Sequence, residues 1–224
     1  MGGDALMPAN IYKNKEGKRV PGTTTIIGSN LGWSKNGLIH WAWQQGVDGL
    51  DYRASRDKAA DTGTIAHAMV EKELKGEKYE WPGLAWKLGA TDKEQIEQAQ
   101  NAFNEFANWM EAVKFKLETA EHLLVSEQYQ YGGQIDIAAI QGRRAIVDIK
   151  TSNAIYEDHK IQLAAYDNLW NENYPEKPIE AWYILQLGKD GGFAYYSLPE
   201  KAIRHGWEAF ECLRKLHDLK KKIT

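Results

Sequence analysis

Apolar and polar residues recur with different periods along this chain, and each change of period marks a new element. Residues 92–116 carry the longest helical pattern, with Phe103, Phe106, Trp109, Met110 and Val113 on one stripe that reads as packing. Helical spacing also covers residues 36–45, with Trp41 and Trp43, the basic stretch 52–60, and then 65–74, 158–169 and 200–222. Residues 46–51 interrupt the pattern, and Asp61-Thr62-Gly63-Thr64 reads as a helix start. β-prone segments fall at 123–131, 133–138 and 146–151, with Gly132-Gly133 as a break or bulge. Residues 179–187 and 193–198 form a hairpin around Lys189-Asp190-Gly191-Gly192. Residues 10–20 make a polar turn region, and 76–89 a loop containing Trp81-Pro82-Gly83. Pro21-Gly22-Thr23-Thr24-Thr25-Ile26-Ile27 reads as a turn and a short β-prone or helix-starting segment.

The order is helices, three strands, a helix, two strands and a helix, which defines an α/β fold with a mixed sheet flanked by helices. A chain of 224 residues can bury a full core as one domain. Within it, residues 1–60 form an N-terminal helical and aromatic segment, 61–200 the core and 201–224 a closing helix.

The chemistry concentrates on two adjacent strands. Along Gly133-Gln134-Ile135-Asp136 and Ile146-Val147-Asp148-Ile149-Lys150-Thr151, side chains alternate faces, so Asp148 and Lys150 share one, as do Gln134, Asp136 and Ala138. A turn centred on Gly142 sets Asp136 directly opposite Asp148. Like charges so placed destabilise a sheet, and a divalent cation between them converts the repulsion into a binding site. Ile135, Ile137, Val147 and Ile149 point the other way, into a core. The competing arrangement is an exposed hairpin with a surface Asp–Lys pair, and a register slip of one residue would separate the carboxylates. Two helical pairs at i, i+4 spacing can face the same cleft: His67 with Glu71, and Gln162 with Tyr166.

Five short motifs then occur in one order: Gly63-Thr64-Ile65-Ala66-His67, Val125-Ser126-Glu127, Gly133-Gln134-Ile135-Asp136, Val147-Asp148-Ile149-Lys150-Thr151 and Gln162-Leu163-Ala164-Ala165-Tyr166. In that order they resemble the PD-(D/E)XK nuclease superfamily, in its RecB-like branch. Val20-Pro21-Gly22-Thr23-Thr24-Thr25-Ile26-Ile27 is similar to the N-terminal motif of phage exonucleases and mitochondrial genome-maintenance exonucleases of that branch. The resemblance spans about residues 20–200 and implies a restriction-endonuclease-like core. It also implies a metal-dependent deoxyribonuclease in which Asp136, Asp148, the Ile149 carbonyl and His67 hold Mg²⁺ or Mn²⁺. Lys150 then orients or helps deprotonate water and stabilises developing charge, while Gln162 and Tyr166 hold the substrate backbone or position Lys150. Glu127 is a further candidate ligand, and Glu71 is an outer charge. Thr23 and Thr24 contact phosphate or cap a helix.

Composition narrows the picture further. Cys212 is the lone cysteine, which excludes an internal disulfide and a cysteine-ligated iron–sulfur cluster within the chain. The lone cysteine makes an intracellular, cytoplasmic location the default expectation. No apolar run is long enough to span a membrane, and Met1-Gly2-Gly3-Asp4 does not begin a secretory signal, with Met7 as an alternative start. The family resemblance implies a phage-encoded protein. The net charge of −3 requires that attraction to nucleic acid be local. Candidate basic patches are Arg53, Arg56 and Lys58, then Arg143 and Arg144, then Lys220, Lys221 and Lys222, the last also reading as a solvated helix end. Trp41, Trp43 and Arg53 make a wall for single strands or merely pack. The leading expectation is a DNA exonuclease acting on single strands or ends, partnered by a recombination or replication protein. A ring-forming double-strand 5′ to 3′ exonuclease and a non-catalytic nucleic-acid-binding module are the alternatives.

Overall fold

A computed structural model describes residues 10–32, 35–80, 82–90, 92–114, 116–152, 154–187 and 193–223, with backbone alone at 35, 36, 58–61 and 141. The expected turn at Lys189-Asp190-Gly191-Gly192, Trp81, the start near Met7 and the Lys58 side chain lie outside the described residues.

A small hairpin, β1 (Tyr12–Lys13) and β2 (Arg19–Val20), opens the chain and leads into helix α1 (Thr23–Asn30). Helices α2 (Lys35–Val47), α3 (Tyr52–Leu74), α4 (Gly83–Lys87) and α5 (Lys93–Val113) follow. The main sheet is built from β3 (Lys116–Ser126), β4 (Tyr131–Gln141), β5 (Arg143–Lys150), β6 (Ala181–Leu187) and β7 (Phe193–Leu198), in that spatial order. Helix α6 (Glu157–Asn173) crosses over between β5 and β6, the one parallel pair, and α7 (Glu200–Ile223) closes the described chain. Antiparallel pairing elsewhere makes the sheet mixed.

Helices cover both faces of this sheet. One core joins α1, α6 and α7 to the strands through Ile26, Leu163, Leu169, Ile203 and Phe210. The other joins α3 and α5 through Ile65, Met69, Ala102 and Phe106, and includes the expected stripe of α5. Strand β5 is buried from Ala145 through Ile149, as a strand covered on both sides must be. Asp92 caps α5, its carboxylate accepting from Gln95 N at 2.8 Å, and Lys114 ends it in the left-handed region at φ 51°. Among the described residues no helix is long and apolar enough to cross a membrane.

Five expectations change. The helix start read at Asp61-Thr62-Gly63-Thr64 is absent, because α3 runs unbroken from an N-cap at Asp51, whose side chain accepts from Arg53 N. Gly63 sits inside that helix because Thr151 passes close by: a Cβ there would lie 2.5 Å from Thr151 Oγ1. Strand β3 starts at Lys116, earlier than the apolar alternation marks, and Gly132-Gly133 lies within β4 rather than breaking it. Residues 10–20 include the paired strands β1 and β2, and the loop over 76–89 contains α4.

Candidate active site

The hairpin of β4 and β5 turns at Gly142, and Ile137 pairs with Val147, so the register carries Asp136 to a position opposite Asp148 as expected. Regular alternation fails at this point. Ile135 and Ile137 are two residues apart, yet Ile135 enters the core beneath α6 and Ile137 the core beneath α3 and α5. Ile135 therefore does not share the face of Ile137, Val147 and Ile149. The break lies at Asp136. On the neighbouring strand, the pairs Ala120–Ile137 and His122–Ile135 leave Glu121 across from Asp136, and Glu121 has a left-handed φ of 51°. The Asp136 carboxylate fills the gap: its Oδ2 accepts from Ile149 N at 2.7 Å, in place of a ladder carbonyl.

Three ligand-type side chains meet here. The candidate metal-binding atoms of His67, Glu121 and Asp136 all lie within 4.8 Å of one another. Helix α3 delivers His67, which also hydrogen-bonds the Ile149 backbone. Glu121 accepts from Gln134 Nε2. Asp148, next along the sheet and completely buried, turns its oxygens elsewhere. Its Oδ2 lies 2.7 Å from Lys150 Nζ, and its Oδ1 is 3.4 Å from Gln162 Nε2. Gln162 also donates to Tyr166 Oη at 2.8 Å, so the helical pair on α6 reaches the carboxylate strands as its spacing implies.

The electrostatics are those of a site built around an added positive charge. Burial, then the charges of Asp136 and Glu71, push Glu121 up to about 8. Burial also raises Asp136 and Asp148, with Lys150 opposing. Burial alone would lower Lys150, but Asp148 and Asp136 outweigh it and raise the ammonium, so it stays a cation. Burial and the charge of Lys150 push His67 down to about 4. At neutral pH that imidazole is neutral and has a lone pair to offer. Asp148 Oδ2 is enclosed, with the Lys150 ammonium as its charged partner at 2.7 Å. Two carboxylates and a neutral imidazole, from Asp136, Glu121 and His67, fit a hard divalent cation.

The structure does not bring every candidate together. Glu127 lies at the far end of β3, where it accepts from Lys15 N at 2.6 Å, and it is not part of the cluster. Glu121 takes the place beside Asp136 instead. Glu121 lies before the strand start read at residue 123, and a left-handed kink is not written in residue types. Glu71 is held by Lys75 on its own helix. Thr23 is buried and donates to Gly132 O at 2.9 Å, fastening α1 to β4, so it is not free to contact phosphate. Gly22 caps α1 without a side-chain bond, and Thr24 is exposed in a cavity of about 610 Å³ that reaches Glu121, Asp136 and Tyr166. Trp43 is exposed and stacks on His40, and Arg53 lies over Tyr52; none of these lines that cavity.

No protein-family model matches the chain. No curated protein matches it either. Solved structures are similar to it, two of them as follows. One is a "putative exonuclease" from Eubacterium rectale, at 16% identity and TM-score 0.49, over 67% of this chain and 64% of that one. The other is SSO0001, at 17% identity and TM-score 0.33, over 68% of this chain and 72% of that one.

Proposed function

We propose that this protein is a metal-dependent deoxyribonuclease of the PD-(D/E)XK superfamily, RecB-like branch. It hydrolyses phosphodiester bonds as an exonuclease on single strands or strand ends, in replication, repair or recombination. The observation that carries this reading is the meeting of His67, Glu121 and Asp136 beside the Asp148–Lys150 ion pair at one distorted point of the sheet. A binding module has no need of opposed, buried carboxylates.

His67, Glu121 and Asp136 are the groups whose ligand atoms meet and would hold Mg²⁺ or Mn²⁺; by the family resemblance, Asp148 and the Ile149 carbonyl would join them. When bound, the cation neutralises phosphate charge and lowers the pKa of water. Lys150, kept protonated by Asp148 and Asp136, places a fixed positive charge where the phosphate becomes more negative. Gln162 links Asp148 to Tyr166 and so holds the ion pair in its orientation.

The test is cleavage of end-labelled single- and double-stranded DNA beside a covalently closed circle, in Mg²⁺, in Mn²⁺ and in EDTA, with Lys150→Ala as control. Metal-dependent loss of linear DNA, circles spared and the variant inactive, is expected. DNA binding without cleavage under either metal would refute the enzymatic reading.

A further inference from the structure

The cavity that reaches the carboxylates is lined by cations as well. Arg19 and Lys221 line it together with Thr24, Thr25, Glu121 and Asp136. The two cations come from opposite ends of the described chain. Arg19 belongs to β2, and that hairpin is stitched to β4: Pro21 O accepts from Gly132 N at 3.0 Å, and Asn14 Nδ2 donates to Gln130 Oε1 at 2.8 Å. Lys221 ends α7, where the adjacent Lys220 donates to Ser29 O at 2.9 Å and ties the helix end to α1. Both side chains are exposed, and among the described residues neither has a hydrogen-bond or ion-pair partner. Arg56, Arg144 and Arg214, by contrast, each carry a carboxylate partner.

We propose that Arg19 and Lys221 clamp one internal phosphate of the DNA strand, next to the scissile one, and hold the strand across the cleft. This rests on the nuclease reading above. The chemistry is suited to a polyanion. A strand entering a cavity lined by carboxylates is repelled unless fixed cations line it too. Arginine offers a planar fork to two phosphate oxygens, and lysine a point charge from the other side. Neither residue touches the reacting atoms, so both are positioning residues.

The experiment measures steady-state cleavage of a single-stranded oligodeoxynucleotide, and its affinity in EDTA by fluorescence anisotropy across a salt series. Arg19→Ala and Lys221→Ala are each expected to raise KM about tenfold and leave kcat within about twofold, the loss of one charge-assisted phosphate contact. Each should flatten the slope of log affinity against log salt by about 0.7. The double variant should lose less than the product of the single losses, because both cations grip the same phosphate. Arg19→Lys should recover part of the loss. Thermal midpoints and the Mn²⁺-induced shift in midpoint should match wild type, which separates the clamp from folding and metal binding. Equal losses on 5′-hydroxyl and 5′-phosphate strands support an internal phosphate, and a loss confined to phosphorylated ends overturns that assignment. Unchanged KM and salt slope in both single variants, with wild type cutting normally, would overturn the clamp. A wild-type protein that neither binds nor cuts DNA would refute the nuclease reading and the clamp with it.

Discussion

Gly133→Ala is the most informative single methyl that can be added to this protein. A Cβ at Gly133 would lie 2.7 Å from Tyr166 Cε1, 2.8 Å from Leu169 Cδ1 and 2.9 Å from Thr23 Oγ1. Leu169 is completely buried, and Tyr166 and Thr23 nearly so. Two of the three are also held by hydrogen bonds: Thr23 donates to Gly132 O, and Tyr166 Oη accepts from Gln162. With no neighbour free to retreat, the overpacking cost belongs in the upper part of the usual range, about 2–3 kcal/mol. Restricting the unfolded chain returns about 0.4–1 kcal/mol. A net loss of about 2 kcal/mol lowers the thermal midpoint by about 4–8 °C in a chain of this size. Displacing Tyr166 also disturbs Gln162 and, through it, Asp148, so cleavage should slow even where the variant is folded. Gly28→Ala is the matched control. Gly28 lies inside α1 and a Cβ there would meet nothing within 4 Å, so this change should leave stability equal or raise it by up to about 1 kcal/mol. Calorimetry or circular-dichroism melting reads both. A Gly133→Ala midpoint at or above wild type would show that β4 and α6 do not approach as closely as described.

Two further outcomes follow from charge. Burial raises Asp167 to about 6, although Trp182 Nε1 donates to it at 2.7 Å. Its folded value lies above its ordinary 3.8, so its contribution is full below pH 3.8 and is lost as pH rises through about 6. Asp167→Asn, which keeps an acceptor for Trp182, should therefore be more stable than wild type above pH 6 by on the order of 2 kcal/mol, the gain fading toward pH 4; denaturant unfolding at pH 4 and 7.5 with a constant difference would contradict this. Glu121→Gln should abolish metal-dependent cleavage and shrink the Mn²⁺-induced rise in thermal midpoint, whereas Glu127→Gln should leave both near wild type. The reverse ranking would return Glu127 to the site and remove Glu121 from it.

Much of the architecture can be read along the chain. The stripe through Phe106 and Trp109 marks α5, the alternation around Asp148 and Lys150 marks β5, and the hairpin of β6 and β7 falls where its flanks predict. The turn at Gly142 and the Asp136–Asp148 opposition are legible for the same reason: a two-strand register follows from one turn and a period of two. Errors arise where a distant group changes the local rule. Gly63 resembles a helix boundary, but it lies inside α3, and the glycine is there to make room for Thr151, which approaches from another element. Ile135 should share a face with Ile137, but the alternation breaks at Asp136, beside a left-handed Glu121.

Residue order alone determines which elements form and which side chains share a face within one element, because helical and strand periods depend on near neighbours. It places Lys150 beside Asp148, and Gln162 one turn before Tyr166. Tertiary packing decides which carboxylate completes the cluster. Glu121 and Glu127 are the same residue type six positions apart, and one distorted residue pair in the sheet, close to His67 of α3, separates their fates. It likewise brings Arg19 and Lys221 to the same cavity. Such proximity depends on how helices seat on the two faces of the sheet, which no local pattern encodes.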